Sequence, residues 1–469
     1  MRGRGFCMAL LLSAWCTSAV AYQDSDLDLI PATRPAAAGT VAQPGWGVSP
    51  GHKIYLENAA TGVWDSHDLA APLPPPRDYL WQERLLLDVR TTDLIGKRAE
   101  IHLSTRLNFR DEDDLRFPSH ENVVNDLREA YVSWHPSDQT YVDVGRINVK
   151  SGIALGYNPT DFFKTRSVTE PLSLDPSALR EDRLGTLMAR VQHIWGAGSL
   201  TIAFAPGIRA RSRIYTNTNL PSLNPMFDRT NADDRFLVKG SINLGDNASP
   251  EFLLYREAGQ LHLGTNLSVG LGQSTVAYLE WSGARRPNLI TEAFNYGRET
   301  GTLPVNSENP LSGGSRRTFR SELAIGASYT TKADLTVNFE YLLNQAGFSR
   351  RDWDAWFAAG THAEPQAPLI DELWYFRAYA RDQQQQNTGQ AYFARADWVN
   401  AFSAQLELTG FALVDAYDQS GIAQVSANYY LSDSWTIGGL GVRYFGSRRS
   451  DFGSLGTSFS LLFSVVHYF

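Results

Sequence analysis

The feature that most limits how this chain can fold is an alternation of apolar and polar residues with a period of two. In the segment 100–110, Ile101, Leu103, Leu107 and Phe109 occupy one set of alternate positions, and the other set is polar. Successive side chains of a β-strand point to opposite faces, so a period of two predicts a strand. The segments 261–269, 319–326 and 335–341 repeat the pattern. The chain is therefore predicted to be all-β.

Continued along the chain, the same pattern predicts about eighteen strands, with sixteen as the alternative. They are placed at 52–58, 79–92, 96–110, 124–134, 138–149, 186–195, 199–209, 234–244, 248–256, 260–271, 274–284, 318–329, 333–345, 389–399, 403–415, 421–431, 434–444 and 457–469. Usual strands have about 5–6 residues. Many of these are longer, and tilted strands that cross a membrane need about 9–11 residues.

The connections between the predicted strands alternate in length. Even-numbered strands are followed by tight turns such as 93–95, and most odd-numbered strands by longer loops, of which 150–185 and 346–388 are the longest. Outer-membrane barrels have short periplasmic turns and long outside loops. The predicted fold is a membrane-spanning antiparallel β-barrel with both termini periplasmic. A soluble β-sandwich or propeller is the alternative, because the sequence does not show which strand faces are buried.

The first 21 residues are predicted to be a cleaved secretory signal peptide. Arg2 and Arg4 precede an apolar run at 6–15, and Ala19-Val20-Ala21 fits the cleavage pattern. An uncleaved anchor is disfavoured because the apolar run is too short. Residues 22–50 are predicted to be a flexible lead-in, and residues 51–469 the barrel. This arrangement predicts the outer membrane of a Gram-negative bacterium, with its lipid and lipopolysaccharide as partners.

Composition excludes several classes of function. Both cysteines lie in the predicted signal peptide, so the exported chain has no disulfide, thiolate metal site or cysteine nucleophile. The net charge is −8, and about −10 without the two signal arginines, which argues against a nucleic-acid partner. The mature part contains no run of about 20 apolar residues of the kind that a membrane helix needs.

The last strand carries an apolar alternation that ends in phenylalanine. Leu461, Phe463, Val465 and Phe469 share one face, whereas His467 stands where an aromatic residue is more usual. In this the chain resembles outer-membrane β-barrel proteins as a class, whose final strand is read by the barrel-assembly machinery. The resemblance implies that these four residues form an assembly signal and that this machinery is a partner. The alternative is an ordinary closing strand.

The eighteen-strand layout resembles that of the alginate-export proteins and of the substrate-selective porins. No signature motif separates the two families here. Gly145-Arg146 at a strand end and Asn158-Pro159-Thr160-Asp161 in a long loop are similar to porin-like families. The alternative for these residues is plain turn chemistry, because proline fixes φ and Asn and Asp cap turns.

Charged positions on the strands are predicted to face the lumen, because the lipid side of a barrel must be apolar. The candidate pore-lining residues are Arg84, Asp88, Arg90, Arg106, Arg110, Arg190, Lys239, Arg256, Arg320, Glu322, Glu340 and Arg395. Basic residues predominate in this set, which favours passage of anions. The alternative is that these charges pair with one another and only hold the wall together.

A long loop folded inward is expected to narrow so wide a barrel. The candidate constriction residues are Tyr157, Asp161, Arg180, Asp182 and Arg183. The loop at 346–388 is predicted instead to be a mobile surface loop, because its run Gln383–Gln386 looks solvated. The acidic run at 111–114 is either a site for divalent cations at the lipopolysaccharide surface or a solvated loop.

Three functions remain open from the sequence. The first is a porin-like channel for polar, preferentially anionic solutes. The second is an exporter of an acidic exopolysaccharide, which the resemblance to alginate-export proteins implies. The third is a barrel enzyme or adhesin. His102 and Ser104 share an inward face, but no third triad member or oxyanion site can be assembled around them. The chain is therefore not expected to be an enzyme, and no catalytic residue, metal or cofactor is predicted.

Overall fold

The computed structural model describes residues 52–75, 80–112, 123–169, 171–214, 223–245, 248–311, 316–362 and 367–469. The predicted signal peptide and lead-in lie outside the described residues, and so do positions 113 and 114 of the acidic run. Those predictions stay predictions.

Eighteen strands and several short helices make up the described chain. The strands are β1 His52–Asp65, β2 Trp81–Leu94, β3 Ala99–Glu112, β4 Val123–Ser137, β5 Thr140–Ile147, β6 Thr186–Trp195, β7 Gly198–Ala205, β8 Arg235–Ile242, β9 Glu251–Glu257, β10 Gln260–Leu271, β11 Thr275–Arg286, β12 Thr318–Thr330, β13 Leu335–Asn344, β14 Gln390–Trp398, β15 Leu406–Asp415, β16 Gly421–Ser432, β17 Trp435–Phe445 and β18 Thr457–Tyr468. The α-helices are α1 Pro176–Glu181, α2 Phe227–Thr230, α3 Leu289–Glu299, α4 Arg350–His362 and α5 Ala367–Asp382. Phe162–Lys164 and Phe452–Ser454 form 3₁₀ turns.

The strands form one closed sheet. Each strand pairs antiparallel with the next, and β18 pairs with β1, with Tyr55 opposite Tyr468. Closure satisfies the backbone hydrogen bonds of every strand and leaves no sheet edge, which is the condition for a sheet in lipid. The predicted antiparallel barrel of eighteen strands is confirmed, and the sixteen-strand alternative is wrong.

The apolar set of each alternating strand faces outward. On β10, Leu261 and Leu263 are 52% and 43% exposed, whereas Asn266 and Ser268 on the other face are buried. A soluble sandwich or propeller would bury the apolar set and expose the polar one. The arrangement here is the reverse, so the soluble alternative is wrong.

The two ends of the barrel differ. Tight turns join each even strand to the next at one end, the turn end, where Gly96 and Gly272 adopt positive φ. The opposite end, the loop end, carries the long connections, and the five α-helices of the described residues lie in those connections. Within the described ranges, no helix is long and apolar enough to cross a membrane.

The segment 346–388 is not the mobile surface loop that the sequence predicts. Its helices α4 and α5 pack with α3 in a buried cluster that includes Trp356, Phe376 and Leu289, here called the helical cap. The glutamine run is held as well, since Gln384 donates to the carbonyl of Lys164 and Gln386 is buried. Gln384 thus bonds to a backbone carbonyl of another loop, and a composition pattern cannot show this.

Candidate functional site

The candidate functional site is the barrel lumen. It contains the connection between β5 and β6, residues 148–185, here called the inner loop. Ala154, Thr160 and Asp161 of this loop are almost fully buried, although their segment belongs to no strand. The inner loop therefore lies inside the barrel, and the strands on several sides provide its contacts.

Glu280 of β11 holds one part of the inner loop. Its carboxyl group accepts hydrogen bonds from the backbone N–H groups of Ile153 at 2.8 Å, Ala154 at 2.9 Å and Thr160 at 2.7 Å. It also accepts from the Thr160 hydroxyl at 2.9 Å. Four donors around one buried carboxyl group satisfy backbone groups that a loop without regular structure would otherwise leave unpaired.

Glu340 of β13 holds the adjacent residues of the inner loop. It accepts from the backbone N–H groups of Leu155 at 2.6 Å and Gly156 at 2.9 Å, and from the Tyr278 hydroxyl at 2.7 Å. Glu340 was predicted to line the pore, and its side chain does point inward. Its contacts show that Glu340 anchors the inner loop. Glu280 anchors the loop in the same way, and the sequence analysis missed it.

Three of the five predicted constriction residues, Asp161, Arg180 and Arg183, brace the inner loop itself. Arg183 forms a two-pronged ion pair with Asp161 at 2.7 and 3.2 Å. Arg180 donates to the carbonyls of Ser151 and Gly152. Such pairs add to the apolar contacts of Val149, Phe162 and Phe163 in fixing the shape of the loop. The fourth, Tyr157, packs against a buried apolar cluster of the strands, and burial raises the pKa of its hydroxyl.

Lys164 is a further buried cation of the inner loop. Its ammonium group donates to the carbonyl of Asn158 at 2.6 Å, and burial lowers its pKa. It lines a cavity of about 300 Å³ between the inner loop, strands β9 to β11 and α3, together with Phe162, Tyr255 and Tyr296. The cavity thus lies beside the inner loop and has mixed aromatic and charged walls.

The fifth constriction residue, Asp182, reaches the wall formed by β2, β3 and β4. Its Oδ1 atom lies 2.8 Å from Arg106, 3.1 Å from Arg128 and 3.6 Å from Arg90. The same three arginines, here called the arginine wall, also surround Asp88, at 3.1, 2.6 and 3.3 Å respectively. The structure thus brings three predicted pore-lining residues and one predicted loop residue together. Arg128, which was not predicted, completes the group.

The other predicted pore-lining residues, apart from Arg256, also point inward, and each has a partner. Arg190 pairs with Asp143 at 2.8 Å and Lys239 with Glu251 at 3.2 Å. The further pairs and contacts are Arg110 with Glu112, Arg84 with Gln82, Glu322 with Arg286, Arg320 with the carbonyl of Gln345, and Arg395 with Asp175 and Asp397. Much of the predicted basic lining is therefore engaged in holding the wall and the loops.

The prediction that Arg256 lines the pore is wrong. In β9, Glu251, Leu253 and Tyr255 are buried on the inner face. Arg256 is opposite Phe236 and Leu261 in the register, and both of these are exposed outward. Arg256 is the penultimate residue of β9 at the loop end, where a lipid-facing cation costs little compared with the bilayer midplane.

The four residues of the predicted assembly signal lie on β18 or just after it, at the alternate positions that form its outer face. They are Leu461, Phe463, Val465 and Phe469, and Phe463 is 60% exposed. Their role as an assembly signal stays a prediction. No group of three or more His, Cys, Asp or Glu side chains placed to hold a metal ion occurs among the residues that the structure describes.

Gly152 offers a direct test of the inner-loop contact with Glu280. It adopts φ of +82°, and a Cβ atom there would overlap both carboxylate oxygens of Glu280. Gly152→Ala is expected to loosen the inner loop through this clash and through about 1–2 kcal/mol of backbone strain. Limited proteolysis should then cut the loop faster than in the unmodified protein.

Gly96→Ala is the matched control, because Gly96 has φ of +75° in a turn and open space around it. It carries the same kind of backbone strain without the clash. Equal cleavage of the inner loop in the Gly152→Ala protein and the unmodified protein would contradict the assigned contact.

No model of a known protein family matches the chain, and no curated protein matches its sequence. Among solved structures, OccK11 (OpdR) of Pseudomonas aeruginosa is 10% identical with a TM-score of 0.48, covering 89% of this chain and 95% of that one. OccAB1 of Acinetobacter baumannii is 9% identical with a TM-score of 0.48, covering 89% and 96%. A triple mutant of Rhodopseudomonas blastica porin is 9% identical with a TM-score of 0.38, covering 89% and 99%. The chain is similar to these structures. The assignment of an eighteen-stranded barrel is based on the strand pairing within this chain.

Proposed function

We propose that this protein is a channel in the outer membrane of a Gram-negative bacterium, exported by its predicted signal peptide, that passes small polar solutes with a preference for anions. The observation that supports this most is a closed barrel with an apolar outer face whose polar lumen contains an anchored loop. The loop end would face outward from the cell and the turn end the periplasm, as in other outer-membrane barrels.

The inner loop favours a small solute over a polymer. A barrel of eighteen strands leaves a water-filled passage unless something fills it. Here the anchors Glu280 and Glu340 hold the inner loop across that passage, and both are fully buried. Export of an exopolysaccharide would require room for a continuous chain, so we propose a solute channel in preference to the alginate-export alternative.

The arginine wall supports the preference for anions. Arg90, Arg106 and Arg128 are grouped around a single wall carboxylate, Asp88. Guanidinium groups that cluster along a pore attract anions and repel cations. Together with Lys150, the three arginines make four cations, and three carboxylates of the described residues lie within ion-pair distance of them, those of Asp88, Glu181 and Asp182. We assign the anion preference to this excess of positive charge.

We propose a channel and not an enzyme. His102, the one inward histidine considered as a catalytic group, has its Nδ1 atom 3.1 Å from the Thr92 hydroxyl and its Nε2 atom 3.3 Å from Glu100. Its ring also stacks on Tyr131 with centroids 4.3 Å apart. These contacts are consistent with a structural role on the wall.

Planar-bilayer recording tests the proposed function. The purified protein is expected to form discrete channels, with a reversal potential in a KCl gradient that shows preference for chloride. Arg106→Gln should reduce that preference about two- to fivefold, because one of the three guanidinium groups is lost. Arg285→Gln removes the same charge from an exposed position on β11 that is opposite outward-facing Phe319, and it should leave the selectivity unchanged.

Absence of channels in repeated insertions would contradict the channel itself. Channels that prefer potassium, or an Arg106→Gln protein that keeps the full chloride preference, would contradict only the assignment to the arginine wall.

A further inference from the structure

We infer that the outer surface of strands β8 to β12 carries a binding site for the diphosphorylated headgroup of a lipopolysaccharide molecule, with Arg256 and Arg285 holding its two phosphate groups. The inference rests on the outer-membrane location in the proposed function, and not on what the channel conducts. It assigns one lipid molecule to one place on the barrel, whereas the sequence predicts lipopolysaccharide only as a general partner.

Arg256 and Arg285 are exposed side chains at the same level of the outer face. In the register, Arg256 is opposite Leu261 of β10. On the other side of β10, Arg285 lies beside the same leucine, one step beyond the last pair of that register, His262 with Ala284. Paired strands are about 5 Å apart, so about 10 Å separates the two arginines. Because a guanidinium group binds phosphate in a two-pronged way, each arginine can hold one phosphate group of the same headgroup.

The side chains of these two arginines form no ion pair or hydrogen bond with any residue that the structure describes. Their sequence neighbours differ in this respect. Glu257 turns inward and pairs with Arg235 at 2.9 Å. Arg286 also turns inward, and it pairs with Glu292 at 2.5 Å and with Glu322 at 2.7 Å. These acids are therefore engaged on the inner side, and the two outward cations remain open to an anion from outside the chain.

The two arginines lie at the level of lipid headgroups. On β10, the outward residues from Leu261 to Leu271 are apolar apart from Thr265. At about 3.3 Å per residue and a strand tilt of about 40°, this stretch covers about 25 Å, the height of the apolar band of an outer-membrane barrel. Leu261 is therefore at the rim of the band on the loop-end side. In the proposed orientation this rim lies in the outer leaflet, where lipopolysaccharide presents its phosphate groups.

The outer face around the arginines is apolar, as the acyl chains of a lipid require. Phe236, Leu261 and Phe319 lie at the level of the arginines and are 40%, 52% and 53% exposed. Leu254 and Leu263, at the next level toward the membrane centre, are 39% and 43% exposed. None of these positions carries an acid that would repel phosphate. A phospholipid has one phosphate group and would reach one arginine, whereas a diphosphorylated sugar headgroup reaches both.

The test is a titration of the protein, purified in a non-ionic detergent, with lipid A, the diphosphorylated anchor of lipopolysaccharide. Native mass spectrometry counts the bound lipid and gives its Kd. Arg256→Gln and Arg285→Gln are each expected to raise the Kd about fivefold, and the double variant about thirtyfold, because each arginine near a lipid surface adds a similar attraction. Monophosphorylated lipid A should bind the unmodified protein about fivefold more weakly, and the double variant should not distinguish the two lipids.

Arg443→Gln is the matched control. Arg443 is also exposed on the outer face, near the loop end of β17, with Ala423 and Phe459 beside it in the register. The positions two strands away at its level are Ala412 and Trp64, so it has no second arginine with which to hold a headgroup. Its loss should leave the Kd for lipid A unchanged. A loss of affinity equal to that of Arg256→Gln would overturn the inference.

Two further results would also overturn it, namely unchanged lipid A binding in the double variant and equal affinity of the unmodified protein for the two lipids. Lipid binding in detergent does not require conduction, so the two proposals fail separately. Lipid A binding that depends on both arginines, in a protein that forms no channels, would support the site and contradict the channel. Normal conduction together with unchanged lipid A binding in the double variant would support the channel and contradict the site.

Discussion

Replacing Glu280 and Glu340 together by alanine is expected to raise the single-channel conductance several-fold. The two carboxyl groups accept from five backbone N–H groups of the inner loop, those of residues 153, 154, 155, 156 and 160. Each buried donor left without a partner costs about 1–3 kcal/mol. The loop should therefore leave its place for water, and a barrel of eighteen strands without a plug has a wide passage.

Bilayer recording of the double variant measures this effect, and limited proteolysis of the inner loop reports its release. Glu407→Ala is the control, since Glu407 lies on the inward face of β15 and its side chain accepts a hydrogen bond from Tyr430. An inward carboxylate is lost there without removing a loop anchor. Unchanged conductance in the double variant, with strand content intact by circular dichroism, would show that the inner loop does not set the size of the passage.

The barrel could be predicted from the sequence because its determinants are local and repeated. Each strand carries its own alternation, and the turn and loop lengths repeat around the sheet. Small errors at strand ends, such as β1 running to Asp65 and not to residue 58, do not change the strand count. Arg256 was misplaced because the rule that charged residues face inward fails near a strand end, where an outward cation meets water or headgroups.

The inner loop could be predicted only in part. Its length and its aromatic and charged residues point to a constriction, but its main anchors are backbone N–H groups, which leave no trace in a side-chain pattern. Glu280 and Ala154 are 126 residues apart. A single glutamate in an alternating strand gives no sign that it binds a distant loop.

The prediction of a basic lumen was incomplete for a related reason. Only strand positions were compared, whereas several partners of the arginines are acids of the inner loop, such as Asp175 and Asp182. The helices of the cap were also missed, because a helical segment between two strands of a barrel has no membrane pattern of its own. Tertiary contacts decide both features, and no local signal reports them.

Trp356→Ala is expected to unfold the helical cap and to leave the barrel intact. Trp356 is fully buried, its Nε1 donates to the carbonyl of Leu373 at 2.8 Å, and its ring packs against Phe357 and Trp374 with centroids at 4.9 and 5.2 Å. Truncating so large a buried side chain costs about 3–5 kcal/mol. The strand pairing of the barrel includes none of these residues, so the loss falls on α4 and α5.

Hydrogen exchange with mass spectrometry can measure this, with residues 345–389 losing protection while the strands keep theirs. Trp134→Ala removes a tryptophan that is half exposed on β4 and should not alter the cap. Full protection of 345–389 in Trp356→Ala would contradict the assignment of the cap as a cooperative unit.

The cap variant also separates the contributions of the cap and the inner loop to the passage. The cap holds the inner loop from one side, through the bond from the Arg166 N–H to the Asp382 carbonyl at 2.8 Å and through Gln384. The anchors at Glu280 and Glu340 do not involve the cap. Conductance in Trp356→Ala should therefore rise less than in the double glutamate variant, because one side of the loop is released while its buried anchors remain. An equal or larger rise would place the narrowest part of the channel in the cap.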